Sequence, residues 1–141
     1  YARYVIDAAR PIVDAMVADG SVRDHAAGAR FLLEQAIAYG DVDSELPLAD
    51  LIANGSIPSK DPLDRTIRVL IALRLGSPDA RRRAQAIWDQ IKLDLSEDDQ
   101  NKAELEANGF VVSPLPAAPD GMLNAFLSPG SGEPSKNNPK R

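Results

Sequence analysis

The chain of 141 residues contains no cysteine and a single histidine. Without cysteine there can be no disulfides, thiolate zinc sites, iron–sulfur clusters or thiol nucleophiles. A zinc motif with two histidines is equally excluded, and a catalytic triad would have to be built around His25. No nucleophile signature such as GxSxG accompanies His25, so we interpret it as a surface residue.

Aromatic residues, glycine-rich loops and long apolar runs are also scarce. Aromatics make up 5% of the chain, whereas alanine and leucine are plentiful, which favours an all-α fold. Neither GxGxxG nor GxxxxGK[ST] occurs, so we expect no nucleotide cofactor, and the other patterns suggest no cofactor or metal. The apolar runs are too short to span a bilayer, so we expect no membrane partner.

The charge balance disfavours a polyanionic partner. The formal net charge is −5, so a nucleic-acid site would need a local basic patch. No signal peptide is visible, which predicts a location in the cytoplasm or within a particle or virion. Because the chain starts at Tyr1 rather than methionine, the alternative that an N-terminal segment is missing stays open.

Helix signals begin near the N-terminus. Apolar spacing predicts a helix over residues 4–18, where Pro11 either bends it near Ala9 or opens a second helix. Ser21 and Asp24 have the spacing of a capping box for the next helix, which should end near residue 39. The polar segment 40–47 predicts a loop, followed by a short helical turn over residues 48–53.

Three further helices are predicted between residues 62 and 107. Asp61 and Pro62 are typical of a helix start, and the apolar stretch 63–75 predicts a central buried helix. Gly76 should end that helix and Ser77 should cap the next one. Ser96 then begins a last helix over residues 97–107. Together these signals predict a compact bundle of about five helices over residues 1–110.

The composition changes at residue 111. Residues 111–141 hold six of the eleven prolines, and no aliphatic or aromatic side chain occurs from Ser128 onward. Such a segment buries too little surface to offset its ordering entropy, so we predict an extended C-terminal tail. Residues 121–127, GMLNAFL, are an apolar island that would form one face if helical, and they suit docking on a protein partner or on their own domain. The predicted contacts are Met122, Leu123, Phe126 and Leu127.

One acidic segment, DVDSE, has the alternation of a calcium-binding loop. Asp41, Asp43 and Glu45 would supply carboxylate ligands. The pattern fails where such a loop needs glycine and a closing glutamate, since Leu46 and Ile52 occupy those places. An enzyme that uses these carboxylates with a metal is therefore our third hypothesis.

Three consecutive arginines lie near the start of the helix after Gly76. This region resembles a helix-turn-helix in part, because Ala72 and Gly76 have the spacing used between the first helix and the turn. In a helix-turn-helix, two positions of the second helix carry apolar residues that anchor it. In this chain those positions are occupied by Arg82 and Gln85, which are polar. Helical spacing sends the three side chains in three directions, so we interpret this as a core helix. The arginines remain candidate contacts for an anion or a partner: Arg81, Arg82 and Arg83.

These features predict a non-enzymatic structural or adaptor protein, one subunit of a larger bacterial or phage-type assembly, or a homo-oligomer, whose tail docks on a neighbour. The motivation is the shortage of catalytic groups together with the docking island. The alternative is a small DNA-binding regulatory or packaging protein that uses the helix pair 62–95.

Overall fold

The computed structural model describes the backbone of residues 2–112 and the side chains of residues 3–112. Helices connected by short turns make up this part of the chain, and no strand occurs in it. The all-α prediction is therefore confirmed, with six α-helices where about five were expected. They are α1 (Ala2–Asp19), α2 (Ala26–Ala38), α3 (Glu45–Ala53), α4 (Asp64–Leu75), α5 (Pro78–Ile91) and α6 (Glu97–Asn108).

Helix α1 runs through Pro11 without interruption, so the alternative of a second helix opening there is wrong. A proline in a helix interior removes one hydrogen bond and costs about 3 kcal/mol. Burial offsets this cost, because Val5 and Val13 on either side of Pro11 are both buried in the same core. Pro11 itself lies on the exposed face.

The predicted capping box at Ser21 does not form. The side chain of Ser21 makes no capping hydrogen bond, and a short 3-10 turn, Val22–His25, precedes α2. The backbone N–H of Ser21 instead donates to Asp19 Oδ1 at 2.9 Å. Ser21 thus belongs to the turn that follows α1. The prediction that α2 starts directly after Ser21, which was based on the spacing of Ser21 and Asp24, is therefore wrong.

The predicted loop over residues 40–47 is largely helical, which corrects the sequence interpretation. A 3-10 turn, Val42–Ser44, leads directly into α3, which begins at Glu45. The prediction took the acidic residues of this segment as a sign of a loop. Acidic residues are also common in the first turn of a helix, because the helix dipole favours negative charge there. The end of α3 agrees with the sequence, because Gly55 follows it with φ +81°.

The starts of the last three helices depend on local caps. Helix α4 begins at Asp64, later than expected, because Asp61 Oδ1 accepts a hydrogen bond from Leu63 N at 2.8 Å in a turn that precedes the helix. Ser77 Oγ accepts from Ala80 N at 3.2 Å. Ser96 Oγ accepts from Asp99 N at 3.1 Å, so the predicted starts of α5 and α6 are confirmed.

Two apolar clusters fill the domain. The first core lies among α1, α2 and α3, and its largest fully buried side chains are Leu32, Leu33, Ile37, Leu48 and Ile57. The second core lies among α3, α4, α5 and α6 and contains Trp88. Helix α4 contacts α3, α5 and α6, so it is the central helix of the second core, as the sequence predicted.

A buried ionic cluster connects α2, α3 and α4. Arg30 of α2 donates two hydrogen bonds to the carboxylate of Asp64 in α4, at 2.8 and 3.0 Å. Arg30 also contacts Glu34 at 2.9 Å, and Arg68 lies 3.3 Å from Glu45 at the start of α3. The cluster therefore joins α2 of the first core to α4 of the second core, and both to α3, which contributes to each core.

Candidate functional site

A shallow surface depression with apolar and charged lining residues lies between α4 and α6, and we call it the α4–α6 groove. It comprises two shallow cavities of about 310 and 430 Å³ that share Ile67 and Glu106. Its apolar lining residues are Pro62, Leu63, Ile67, Ile71, Leu105 and Phe110, and its charged lining residues are Asp61, Arg68, Asp99, Lys102 and Glu106. The first turns of the two helices meet at one end and their last turns at the other, so α4 and α6 run in the same direction.

Leu105 is among the residues that line one of the two cavities of this groove. The side chains of Ala103 and Ala107 bury the inner face of α6, and Leu105 is two positions from each, roughly 160° around the helix. Leu105 is consequently 74% exposed in a helix that otherwise presents charged and polar residues. Large exposed apolar side chains are informative when they border an apolar depression, because such places suit a protein partner.

The chain leaves the helical domain at the same place. The guanidinium of Arg74, near the end of α4, donates a hydrogen bond to the backbone carbonyl of Phe110. This contact fixes the exit point of the tail against α4. The next two residues, Val111 and Val112, are exposed, so the apolar surface continues along the chain from the groove into the tail.

Arg68 lines the groove and connects it to the buried ionic cluster. Its Nη1 lies 3.3 Å from both carboxylate oxygens of Glu45, whose side chain is fully buried. Burial raises the pKa of Glu45 to about 7, although the guanidinium of Arg68 opposes the shift. Glu45 is thus held in place by an arginine that itself reaches the surface.

Asp64, the other buried carboxylate, behaves in the opposite way. Burial by itself would raise the pKa of Asp64, but hydrogen bonds from Arg30 and from the backbone N–H of Lys60 outweigh it. The pKa of Asp64 therefore lies below its ordinary value. Arg30 and Asp64 form a charged structural contact with nearly all of both side chains out of water.

The three arginines near the start of α5 contact three different acceptors within the domain. Arg81 Nε donates to the carbonyl of Gly76 at 3.0 Å, Arg82 pairs with Asp79 one turn earlier, and Arg83 lies 3.7 Å from Asp50 of α3. They do not converge on one patch. All three side chains are exposed, so they stay candidate contacts for an anion or a partner.

The three carboxylates of DVDSE are not brought together either. Asp41 accepts a hydrogen bond from Ser44 Oγ at 2.7 Å, and Asp43 accepts one from Ser77 N at 2.8 Å. Glu45 points to Arg68. Across the part of the chain that the structure describes, no group of three potential ligands could hold a metal ion.

Four predicted partner contacts, Met122, Leu123, Phe126 and Leu127, lie outside the described residues. His25 ends the 3-10 turn before α2 and its side chain is exposed, as expected.

The groove between α4 and α6 was not predicted from the sequence, although one signal was available: Leu105 is the apolar residue opposite the alanine face of α6.

The fold and these surfaces define an all-α domain with a shallow groove between α4 and α6 and a buried ionic cluster. No protein-family model, curated protein or solved structure matches the chain. Within residues 2–112, no helix has the length and hydropathy needed to cross a bilayer.

Proposed function

We propose that this chain is a non-enzymatic structural or adaptor subunit of a larger assembly, of bacterial or phage type, and that its tail docks on a neighbouring subunit. The observation that carries the proposal is the apolar surface at the point where the tail leaves the domain. Leu105, Val111 and Val112 are exposed there, beside the α4–α6 groove. An apolar surface of this kind is typical of a protein contact.

The tail sequence supplies the second half of the argument. Residues 121–127 have the spacing of a helix with one apolar face, and proline-rich segments flank them. A short amphipathic segment that binds a groove through such a face is a common mode of peptide recognition. A non-enzymatic role is further supported by the lack of cysteine and by the single histidine, His25, which limit the sequence to one cysteine- or histidine-based catalytic group.

Truncation after Val112 tests this proposal. We expect the full chain to have a mass in solution above that of one subunit, and the truncated chain to have the mass of a monomer with unchanged helical content. Light scattering and circular dichroism measure the two quantities. Within the full chain, Phe126→Asp should act like the truncation, whereas Ser135→Asp, outside the island, should not. A truncated chain that assembles like the full chain would contradict tail docking.

The alternative of a DNA-binding protein draws less support from the geometry, because each arginine near the start of α5 already has an acceptor in the domain. Replacing Arg81, Arg82 and Arg83 by glutamate tests this alternative. If the alternative is right, the wild-type chain is retained on DNA at low salt and the triple variant is not. We expect no retention of either chain.

A further inference from the structure

We propose that residues 121–127 of one copy of this chain bind in the α4–α6 groove of a second copy. The inference rests on the proposed function and specifies both surfaces of the docking contact. The occupant is the apolar island, through Met122, Leu123, Phe126 and Leu127. The receiving residues are those that line the groove.

The first argument is that both the groove and the island expose apolar side chains. Leu63, Ile67 and Leu105 leave part of their apolar surface open to solvent along the groove. Four of the five Leu, Met and Phe residues after position 112 lie in the island. Burying an apolar face of the island against these side chains removes both surfaces from water, which is the main favourable contribution to such contacts.

The second argument is reach, and it favours a second copy over the groove of the same chain. Eight residues, SPLPAAPD, separate Val112 from the island, and three of them are prolines. A proline-rich linker favours the extended conformation of ~3.1 Å per residue, which gives ~25 Å for this segment. Helix α6 has 12 residues and is ~18 Å long. The chain leaves at one end of the groove, so the linker has to bend for the island to bind the groove of its own domain, whereas a second copy can receive the island with the linker extended.

The third argument is charge. Helix α6 carries five acidic residues and one lysine, and three of the acids lie in its first turn. The segment after the island ends in KNNPKR, whose charged residues are all basic: Lys136, Lys140 and Arg141. Only the eight residues SPGSGEPS separate the island from this basic segment, and its charge is opposite to that of α6, which favours association at low salt.

Because the chain has no cysteine, single cysteines make a direct test in the full chain. Lys102→Cys places a thiol at the groove, and Asn124→Cys places one in the island away from its apolar face. The two variants are mixed and treated with a short bis-maleimide. We expect a product of twice the chain mass, and mass spectrometry should find peptides containing positions 102 and 124 joined to each other.

Two leucines with the same exposure provide the matched control. Leu105 and Leu93 are each 74% exposed, and Leu93 lies outside the groove. Adding Leu105→Asp to the Lys102→Cys chain should reduce the cross-linked product at least about tenfold, because it places a charge in the apolar contact. Adding Leu93→Asp should leave the yield unchanged.

Three other outcomes overturn the inference in distinguishable ways. If the double variant Lys102→Cys/Asn124→Cys closes within one chain and the mixed variants give no product, the groove binds its own tail. If Leu93→Asp lowers the yield as much as Leu105→Asp, the effect is not specific to the groove. If Phe126→Asp abolishes assembly and no product joins positions 102 and 124, the proposed function stands and the groove assignment is wrong.

Discussion

The two cores of the domain are built from different side chains. Leucine, isoleucine and valine dominate the first core, between α1, α2 and α3. Half of the buried residues of the second core are alanines, which allow close approach of its helices, and five aliphatic residues and Trp88 complete it. Its buried alanines are Ala49, Ala72, Ala80, Ala84, Ala103 and Ala107.

This difference predicts opposite sensitivities. A core of large aliphatic residues is damaged mainly by truncation, because a smaller side chain leaves a cavity. A core of alanines is damaged mainly by enlargement, because an added side chain has no space. The ionic cluster lies between the two cores. A substitution there is expected to change stability mainly through the cost of leaving a buried charge unpaired, and less through the change in side-chain volume.

Asp64→Ala should have the largest effect, because it breaks the connection between the cores. The variant leaves Arg30, whose side chain is 9% exposed, without its main partner. We expect the free energy of unfolding to fall by about 3–5 kcal/mol, as measured by urea denaturation. Asp7→Ala removes an exposed pair with Arg3 and should cost under about 0.5 kcal/mol. Equal losses would show that the buried position of Asp64 is unimportant.

Leu33→Ala tests whether the two cores unfold together. Leu33 is fully buried in the first core, so its truncation should lower the free energy of unfolding by about 2–5 kcal/mol. Trp88 lies in the second core and is the single tryptophan, so its fluorescence reports that core alone. Because α3 and the ionic cluster join the cores, fluorescence and circular dichroism should shift to the same new midpoint. A change confined to circular dichroism would mean independent cores.

Glu45 should make stability depend on pH above its ordinary titration range. Its pKa rises from 4.5 to about 7 on folding, so the folded state keeps a proton that the unfolded chain loses. The stabilisation is complete below pH 4.5 and is lost as the pH rises through about 7, a change of about 3 kcal/mol. Denaturation midpoints at pH 5 and pH 8 measure it. Glu45→Gln should abolish the difference, and a midpoint that is unchanged in the wild type would contradict the prediction.

Ala84→Leu tests the second core from the opposite direction to Leu33→Ala. Ala84 is fully buried in α5, so the larger side chain should cost about 1–3 kcal/mol of unfolding free energy. Ala86→Leu places the same side chain on the exposed face of α5 and should change stability by less than about 0.5 kcal/mol. If thermal denaturation shows the same stability for both variants, the alanine contacts are loosely packed.

The sequence predicts well what neighbouring residues decide and poorly what distant residues decide. The starts of α5 and α6 were predictable, because Ser77 and Ser96 bond to groups three positions away. The helical character of residues 42–47 was not, since it depends on burial of Glu45 beside Arg68, 23 positions along the chain. Similarly, no local pattern pairs Arg30 with Asp64.

The candidate site follows the same rule. The groove forms because α4 and α6 pack side by side, and their positions in the sequence carry no signal of that contact. Leu105 was visible as an apolar residue opposite the alanine face of α6, but only the structure places it beside Ile67. The island at residues 121–127 was predicted from composition alone and lies outside the described residues, so its role stays a prediction.

The smallest expected effect concerns two serines at helix starts, Ser77 and Ser21. Both have the sequence pattern of a helix cap, but only Ser77 makes the capping hydrogen bond. Ser77 accepts a hydrogen bond from Ala80 N, whereas the side chain of Ser21 makes no capping bond although Asp24 has the expected spacing. Ser77→Ala should therefore lower the free energy of unfolding by about 1 kcal/mol. Ser21→Ala should cost less than about 0.5 kcal/mol, because it removes no such bond. Thermal denaturation of the two variants measures the difference, and equal losses would mean that Ser21 caps α2 in solution after all.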